Sequence, residues 1–353
     1  MNEEKNTKEI KSDSVKIIIP EVNNYKSEII KIIESTSTQV LFPNYEVKIL
    51  EGNNAGKIIN TYSNGYKYKI GDKVFLEETK EKGGFIYYNL GESIKYDSLI
   101  LTLFLFVGVI VVVFGKKGLR ALSSLAVSLG IIFFVLLPLT LKGYNPVLVA
   151  SFISVCLLFT VMFLTHGNNR VTYSALLGCS ISIFITIIIS YITIISANIT
   201  GFVDETSSYL YFNTEGVINF PLLVIASIII GVIGVVDDGA ITQAGIVAEL
   251  KHANKNLSKA EYYKRAMRVG SDHAGAMINT LVLAYVGSAL PLLLLMYTSK
   301  LDTLFLLNKE IIATEIFRSL IGSVGLLLAI PLTTLIAVYL VTDHEKNTHS
   351  HPH

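Results

Sequence analysis

The distribution of apolar positions divides the chain at about residue 97. Beyond that point long apolar runs alternate with short polar ones. Seven stretches read as membrane spans: about 98–115, 119–139, 146–165, 171–197, 217–246, 273–297 and 315–341. At 1.5 Å of rise per residue, each is long enough to cross a hydrocarbon layer ~30 Å thick. From about residue 28 to 96 the runs are short and strand-like. Glu28 to Ile33 is one, Tyr45-Glu46-Val47-Lys48-Ile49 alternates, and Lys73 to Glu77 and Phe85 to Tyr88 follow. Turn residues at Gly52-Asn53-Asn54, Ser63-Asn64-Gly65 and Gly71-Asp72 split them. Such a series of short strands predicts a small barrel of OB or SH3-like size, with no catalytic cluster in it. Residues 1–27 are polar apart from Val15 to Ile19 and read as a tail. Residues 344–353 form a second tail, whose His344, His349, His351 and His353 could hold a metal but are loosely spaced, so a disordered tail is the favoured reading. The expected fold class is an α-helical membrane protein of about seven transmembrane helices, with a small N-terminal extracytoplasmic β-barrel-like domain over 28–96 and the helical domain over 97–343.

Composition agrees with this division. The chain has 353 residues, 51% of them apolar and 16% charged, and it contains no Trp. Residues 1–96 hold 14 acidic and 14 basic side chains, about half of all the charge. A net charge of +1 gives no reason to expect nucleic acid as a partner. Cys156 and Cys179 both lie in apolar runs and read as small hydrophobes. The polar start lacks the apolar core of a signal peptide. One set of loops carries Lys116, Lys117, Arg120, Arg170, the Lys251–Arg268 cluster and Lys346; the other carries only Lys142, Lys300, Lys309 and Arg318. The positive-inside rule then places the N-terminal domain outside and the C-terminus in the cytoplasm of a cell membrane. Between the fifth and sixth spans, Ser258 and Glu261 form a capping box, and Gly270 reads as a stop. The short basic helix between them reads as lying on the membrane surface, or as binding a partner.

The chemistry concentrates in the fifth span, where Gly234-Val235-Val236-Asp237-Asp238-Gly239-Ala240 continues an apolar run. A carboxylate near the middle of a bilayer costs roughly 2.5–3.5 kcal/mol on insertion scales. Burial disfavours its charged form, and two neighbouring carboxylates resist ionising together. A purely structural latch would manage with Asn. In this span Gly231, Gly234, Asp238, Thr242 and Gly245 recur at three and four residues and share one face. In the sixth span Asp272, Ala276, Thr280, Ala284 and Ser288 do the same, with Asn279 close by. Small, polar faces of this kind let helices approach closely. The expected site is therefore a seam: Asp237, Asp238, Asp272, Asn279 and Thr280 as relay candidates, and Gly231, Gly234, Gly245 and Ala276 as packing positions. Asp272 doubles as a helix N-cap, and His273 beside it as a hydrated boundary residue. Arg318 pairs with an intramembrane Asp or snorkels outward. No phosphate loop, nucleophile elbow or metalloprotease helix is present in the sequence. Nothing marks an enzyme, a cofactor or a metal.

Gly231-Val-Ile-Gly-Val-Val-Asp-Asp-Gly-Ala-Ile-Thr, Gly270 to Leu295 with its Asn-Thr-Leu-Val-Leu-Ala-Tyr-Val-Gly-Ser run, and Gly118-Leu-Arg-Ala-Leu resemble the YibE/F-like family of bacterial multi-spanning membrane proteins. The resemblance covers roughly residues 45 to 340. It implies an extracytoplasmic N-terminal domain, often behind an extra first span that this chain lacks. The family's acidic position matches Asp238, with Asp237 standing where an apolar residue is common. The family's Gly-Arg-Asp appears as Gly270-Ser271-Asp272, without the Arg. A looser similarity links Val236 to Ile241 with the fourth-span motif of resistance-nodulation-division permeases and their secretion-accessory relatives, whose paired carboxylates take up and release protons.

Two functions follow as expectations. The first is a proton- or ion-coupled transporter or export-accessory protein with Asp238 as the titrating group. The second is a membrane scaffold whose outer domain binds a protein or envelope partner. An intramembrane aspartyl hydrolase would need its two carboxylates on different spans, which adjacent residues do not supply. The lipid bilayer is the one partner implied by either expectation. The sequence sets no copy number.

Overall fold

The computed structural model describes residues 21–33, 43–52, 54–63, 66–80 and 85–342. Both expected tails therefore lie largely or wholly outside the described residues, as does the Asn64-Gly65 turn. Two compact units divide near Gly108.

The first unit holds five strands: β1 (Glu21–Ile33), β2 (Asn44–Ile49), β3 (Ile58–Ser63), β4 (Lys73–Lys80) and β5 (Ile86–Ser93). They close into a barrel in the order β1-β2-β3-β5-β4. Every pairing is antiparallel except β3 with β5. This is a Greek-key barrel of the OB type. β1 begins at Glu21, so the polar run up to residue 27 is not all tail. The sequence hides this because Glu21 to Ser27 lacks apolar alternation. The strand is long because it serves two neighbours. Its first half pairs with β4 and its second half with β2, across a register shift between Ile29 and Lys31. Ile29, Tyr45, Val47, Ile49, Val74, Leu76 and Leu90 fill the interior. Tyr68 sits edge-on to Tyr45 at 5.5 Å and donates its hydroxyl to Gly91 O at 2.6 Å.

Helices make up the rest: α1 (Tyr96–Ile131), a π-helical turn (Ile132–Leu136), α2 (Leu137–Leu141), α3 (Pro146–His166), α4 (Arg170–Ser196), α5 (Glu205–Asn213), α6 (Phe220–Ala253), α7 (Lys259–Ser288), α8 (Leu290–Thr298), α9 (Thr303–Leu307) and α10 (Glu310–Thr342). Among the described residues five helical stretches are long and apolar enough to cross a bilayer, or six if α7 and α8 count as one bent span. This number counts the expected spans 98–115 and 119–139 as one helical run of 46 residues, Tyr96–Leu141. That run is interrupted at Gly115, whose φ of 54° and ψ of −130° are not helical. The bend there is sharp. A Cβ on Gly118 would lie 2.6 Å from Ile110 O, eight positions earlier in the chain.

The core of the second unit is the trio α4, α6 and α10, with α3 against α6 and α7 against α10 and α6. Glycines set the closest approaches. A Cβ on Gly178 of α4 would fall 2.0 Å from Thr333 Oγ1 and 2.8 Å from its Cα. On Gly325 of α10 it would fall 2.8 Å from Thr186 Oγ1 and 2.9 Å from Val232 Cγ1. Ser182 Oγ donates to Gly325 O at 2.5 Å across the same crossing.

α7 departs from expectation at both ends. The Ser258–Glu261 capping box starts it. Gly270 does not stop it, so the basic helix and the sixth span are one continuous helix. Gly270 is small for another reason: a Cβ there would lie 2.5 Å from the Gln243 side chain of α6. The sixth span breaks instead after Ser288, where α8 departs at 65°. Pro291 lacks an amide proton and its ring excludes the carbonyl four residues back, so helix continuation fails there.

Candidate functional site

α6 is capped by Asn219, whose side chain accepts from Leu222 N at 3.1 Å, and it carries Pro221 in its first turn. It then runs 34 residues, with the two carboxylates near its midpoint. The helical period separates them by about 100°. Asp237 turns inward, is 8% exposed, and its Oδ1 accepts no hydrogen bond among the described residues. Asp238 turns outward and is exposed.

Two cavities flank this point. The first, about 360 Å³, lies between α1, α3 and α6, and is lined by both carboxylates together with Ser124, Ser128, Thr165 and His166. The second, about 450 Å³, is a groove between α6 and α7. Gly234, Asp238, His273, Ala276, Thr280 and Ala284 line it. Gly234 and Asp238 belong to both. His166 also lines a third cavity of about 740 Å³, shared with Asn169, Arg170, Thr242, Gly245 and His252. That cavity lies at the end of the helical unit where α10 finishes. There Arg170 Nη1 donates to Leu340 O at 3.1 Å and Lys251 Nζ to Val341 O at 2.9 Å, two cations on the carbonyl end of a helix. Lys259 lies 4.1 Å from the ring centroid of Tyr339.

The expected seam is thus present in outline and different in kind. Gly231, Gly234, Asp238 and Thr242 do share one face of α6, and Asp272, Ala276, Asn279 and Thr280 share one face of α7, but these faces are exposed and do not press together. A Cβ on Gly234 or Gly245 would meet nothing within 4 Å, and one on Gly231 would meet only Tyr285 Oη at 3.3 Å. Ala276 and Thr280 line the groove with Asp238. Asp272 and Asn279 do not. Asp272 is no N-cap, since α7 began at Lys259, and it is exposed on the helix body. The faces that do pack are the opposite ones. α7 buries Tyr262, Ala266, Gly270 and Ala274, while α6 buries Val236, Asp237, Gly239, Ala240, Gln243 and Ala244. Gln243 joins three helices: its Nε2 donates to Ala266 O of α7 at 3.0 Å and to Thr334 Oγ1 of α10 at 2.7 Å.

Arg318 pairs with no Asp. Its Nη1 donates to Glu315 Oε1 at 2.7 Å on its own helix, and its Nη2 reaches Ser227 Oγ at 3.4 Å. Sequence reasoning also misses His166. It is the last residue of α3, and nothing in its own helix marks it. Only the packing of α3 on α6 brings it to the carboxylates. Among the described residues no three His, Cys, Asp or Glu side chains converge as a metal site.

The family comparison follows the helical unit closely. The YibE/F-like protein model matches residues 102–343, about two-thirds of the chain. The match begins inside α1, so the barrel lies outside it, a shorter reach than the resemblance from residue 45 implied. No curated protein matches, and no solved structure does. With its apolar helices pointing to a membrane protein and a family model covering most of its length, the chain belongs to the YibE/F-like family.

Proposed function

We propose that this protein is a proton- or ion-coupled transporter or export-accessory protein of the cell membrane, and that Asp238 is its exchanging carboxylate. The observation that carries this reading is the position of Asp238 between two cavities. A proton carrier needs a path to at least one side. Asp238 lines the groove toward α7 and also the cavity that His166 shares with the basic mouth. Asp237, buried beside it with an unpartnered oxygen, is the tuning partner. Two adjacent carboxylates in such a place resist carrying two negative charges together, so protonating one lets the other ionise. His166 hands protons between the mouth and the pair, and Thr280 offers a hydroxyl along the groove. The similarity of Val236 to Ile241 to the proton-handling motif of resistance-nodulation-division permeases supports the same chemistry. In this reading the barrel lies outside the membrane and the basic α6–α7 turn faces the cytoplasm. It requires no enzymatic step.

A scaffold reading draws on a different observation. The barrel exposes Ile58, Tyr62, Phe85 and Tyr87, a surface suited to a protein or envelope partner. The carboxylates would then matter only to helix packing. Proteoliposomes holding an interior pH dye separate the two. Asp238→Asn keeps shape and cannot ionise, so pH-driven flux falls at least tenfold while insertion and melting temperature hold. Asp237→Asn slows flux less. Full flux in the Asp238→Asn protein ends the relay reading and leaves the scaffold.

A further inference from the structure

The helical unit has a second polar feature, remote from the carboxylates along α6, at the end where α7 finishes and α10 begins. α8 reads Leu290-Pro-Leu-Leu-Leu-Leu-Met-Tyr-Thr298, yet none of its residues is buried. The 65° break carries it away from the line of α7, and a cavity of about 290 Å³ separates it from α10. Leu293 and Met296 of α8 face Ile316 and Leu320 of α10 across that space, with Tyr285 closing one side. An apolar helix standing off its neighbour leaves apolar area uncovered, and something apolar must fill the gap.

The gap has a polar end. A second cavity, about 320 Å³, shares Glu315, Ala289 and Leu292 with the first and adds Ser288 and Arg318. The Glu315 and Arg318 side chains are 31% and 28% exposed and form an ion pair. The guanidinium has five donors. One on Nη1 meets Glu315 and one on Nη2 reaches Ser227, which leaves a second hydrogen on each; Nε is buried without a partner among the described residues. The polar end therefore offers both an acceptor and unused donors.

We propose that this paired space binds a zwitterionic phospholipid bearing a primary amine, with an acyl chain between α8 and α10 and the headgroup on Glu315 and Arg318. Charge complementarity selects the headgroup. A purely anionic head meets the Glu315 carboxylate beside the arginine, and a purely cationic one meets Arg318. A head with both charges answers both: its phosphate accepts from Arg318, and its ammonium donates to Glu315. A trimethylated amine carries the charge but has no N–H to donate, so phosphatidylcholine fits less well than phosphatidylethanolamine. Cavities of ~300 Å³ are at the small end of ligand sites, in keeping with one chain segment plus a head.

The test is lipid retention by the full chain in detergent, read by native mass spectrometry with phosphatidylethanolamine, phosphatidylcholine and phosphatidylglycerol offered in turn. Phosphatidylethanolamine should be retained at least fivefold better than either of the others. Glu315→Gln should remove that preference while leaving phosphatidylcholine retention unchanged. Because the chain has no Trp, Leu293→Trp supplies a single tryptophan in the gap, excited selectively over the tyrosines at the red edge, and brominated acyl chains should quench it. Equal retention of all three lipids, a preference that survives Glu315→Gln, or an unquenched Trp at position 293 would each overturn the proposal. So would a dimer that excludes lipid from the gap, or soluble phosphoethanolamine competing as well as the whole lipid. If Glu315→Gln fails to fold, the wild-type headgroup ranking and the quenching still decide. None of these readouts uses flux, so a transport-dead Asp238→Asn protein should keep the lipid, and failure of one reading is distinguishable from failure of the other.

Discussion

Replacing Gly178 by Ala should loosen the crossing between α4 and α10. The new Cβ would sit 2.0 Å from Thr333 Oγ1 and 2.8 Å from Thr333 Cα. Rotating the hydroxyl relieves the first clash but not the second, because Cα is backbone. The helices must then part by on the order of half an ångström, and a gap of that size forfeits about a quarter of the dispersion attraction along the crossing. Overpacking of this kind costs about 1–3 kcal/mol. Ala is the better helix former by ~1 kcal/mol, which offsets part of it. A clash with backbone belongs in the upper half of the overpacking range, about 2–3 kcal/mol, so the net loss is about 1–2 kcal/mol, or a drop of roughly 2–8 °C in melting temperature for a domain of this size. Thermal unfolding of the purified protein, followed by circular dichroism in detergent, measures it. Thr333→Ala should rescue it only in part, since the clash with the residue 333 backbone stays. A Gly178→Ala protein as stable as wild type would show that the α4–α10 crossing is not held at this distance.

Gly234 gives the opposite expectation. With nothing within 4 Å of its Cβ, Gly234→Ala should be neutral or stabilise by up to ~1 kcal/mol, whereas Gly234→Leu should fold but obstruct both cavities and cut pH-driven flux, and a Leu variant with full flux would separate the groove from transport. Tyr68 makes the barrel alkali-sensitive. Burial, with the neighbouring Tyr66 and Tyr45 hydroxyls, holds its phenol above the ordinary value of 10.0. The folded barrel therefore keeps that proton more tightly than the unfolded chain, so stability is full below about pH 10 and declines as pH rises through the folded value. Tyr68→Phe should flatten the decline, as unfolding titrations would show. For topology, with Cys156 and Cys179 replaced by Ala, a Cys at exposed Asn60 should react with an impermeant thiol reagent in whole cells and one at exposed Asn256 should not. The reverse pattern would invert the orientation drawn from the loop charges.

Much of the helical unit can be read from one-dimensional pattern, because a span must be apolar over a fixed length. The ends of α3, α4 and α10 fall close to the apolar runs, and the Ser258–Glu261 box marks the start of α7. What pattern does not carry is the neighbour. Gly270 reads as a stop because glycine commonly ends helices, but the reason for it is the Gln243 side chain on another helix. Periodicity places Gly234 and Asp238 on one face correctly. It does not tell a packed face from an open one, since small residues serve both. Asp237 and Asp238 are visible in the sequence as a costly pair. Which of them is buried, and that His166 joins them, depends on how α1, α3 and α6 meet. The first half of β1 is hidden because its pairing with β4, not its own apolar content, holds it in the barrel.

The Gln243 junction has a mechanical consequence. It ties α7 to α6 and α10 near Ala266, in the first turns of a long helix. From there α7 continues for 22 residues to Ser288, about 33 Å at 1.5 Å per residue. Beyond the junction Ala274 still packs with Leu326 and Ile330 of α10, while the side of the arm that carries Ala276 and Thr280 borders the open groove beside Asp238. The junction is therefore a fulcrum and α7 a lever. A tilt of about 5° about that point, over this helical length, moves the far end by roughly 3 Å. At His273, which lines the groove with Asp238 about 10 Å from the fulcrum, the same tilt moves α7 by roughly 1 Å. For such a tilt, small adjustments at the carboxylates and larger displacements at the α7–α8 corner would be two ends of a single rigid-body motion, geared by where one glutamine is anchored.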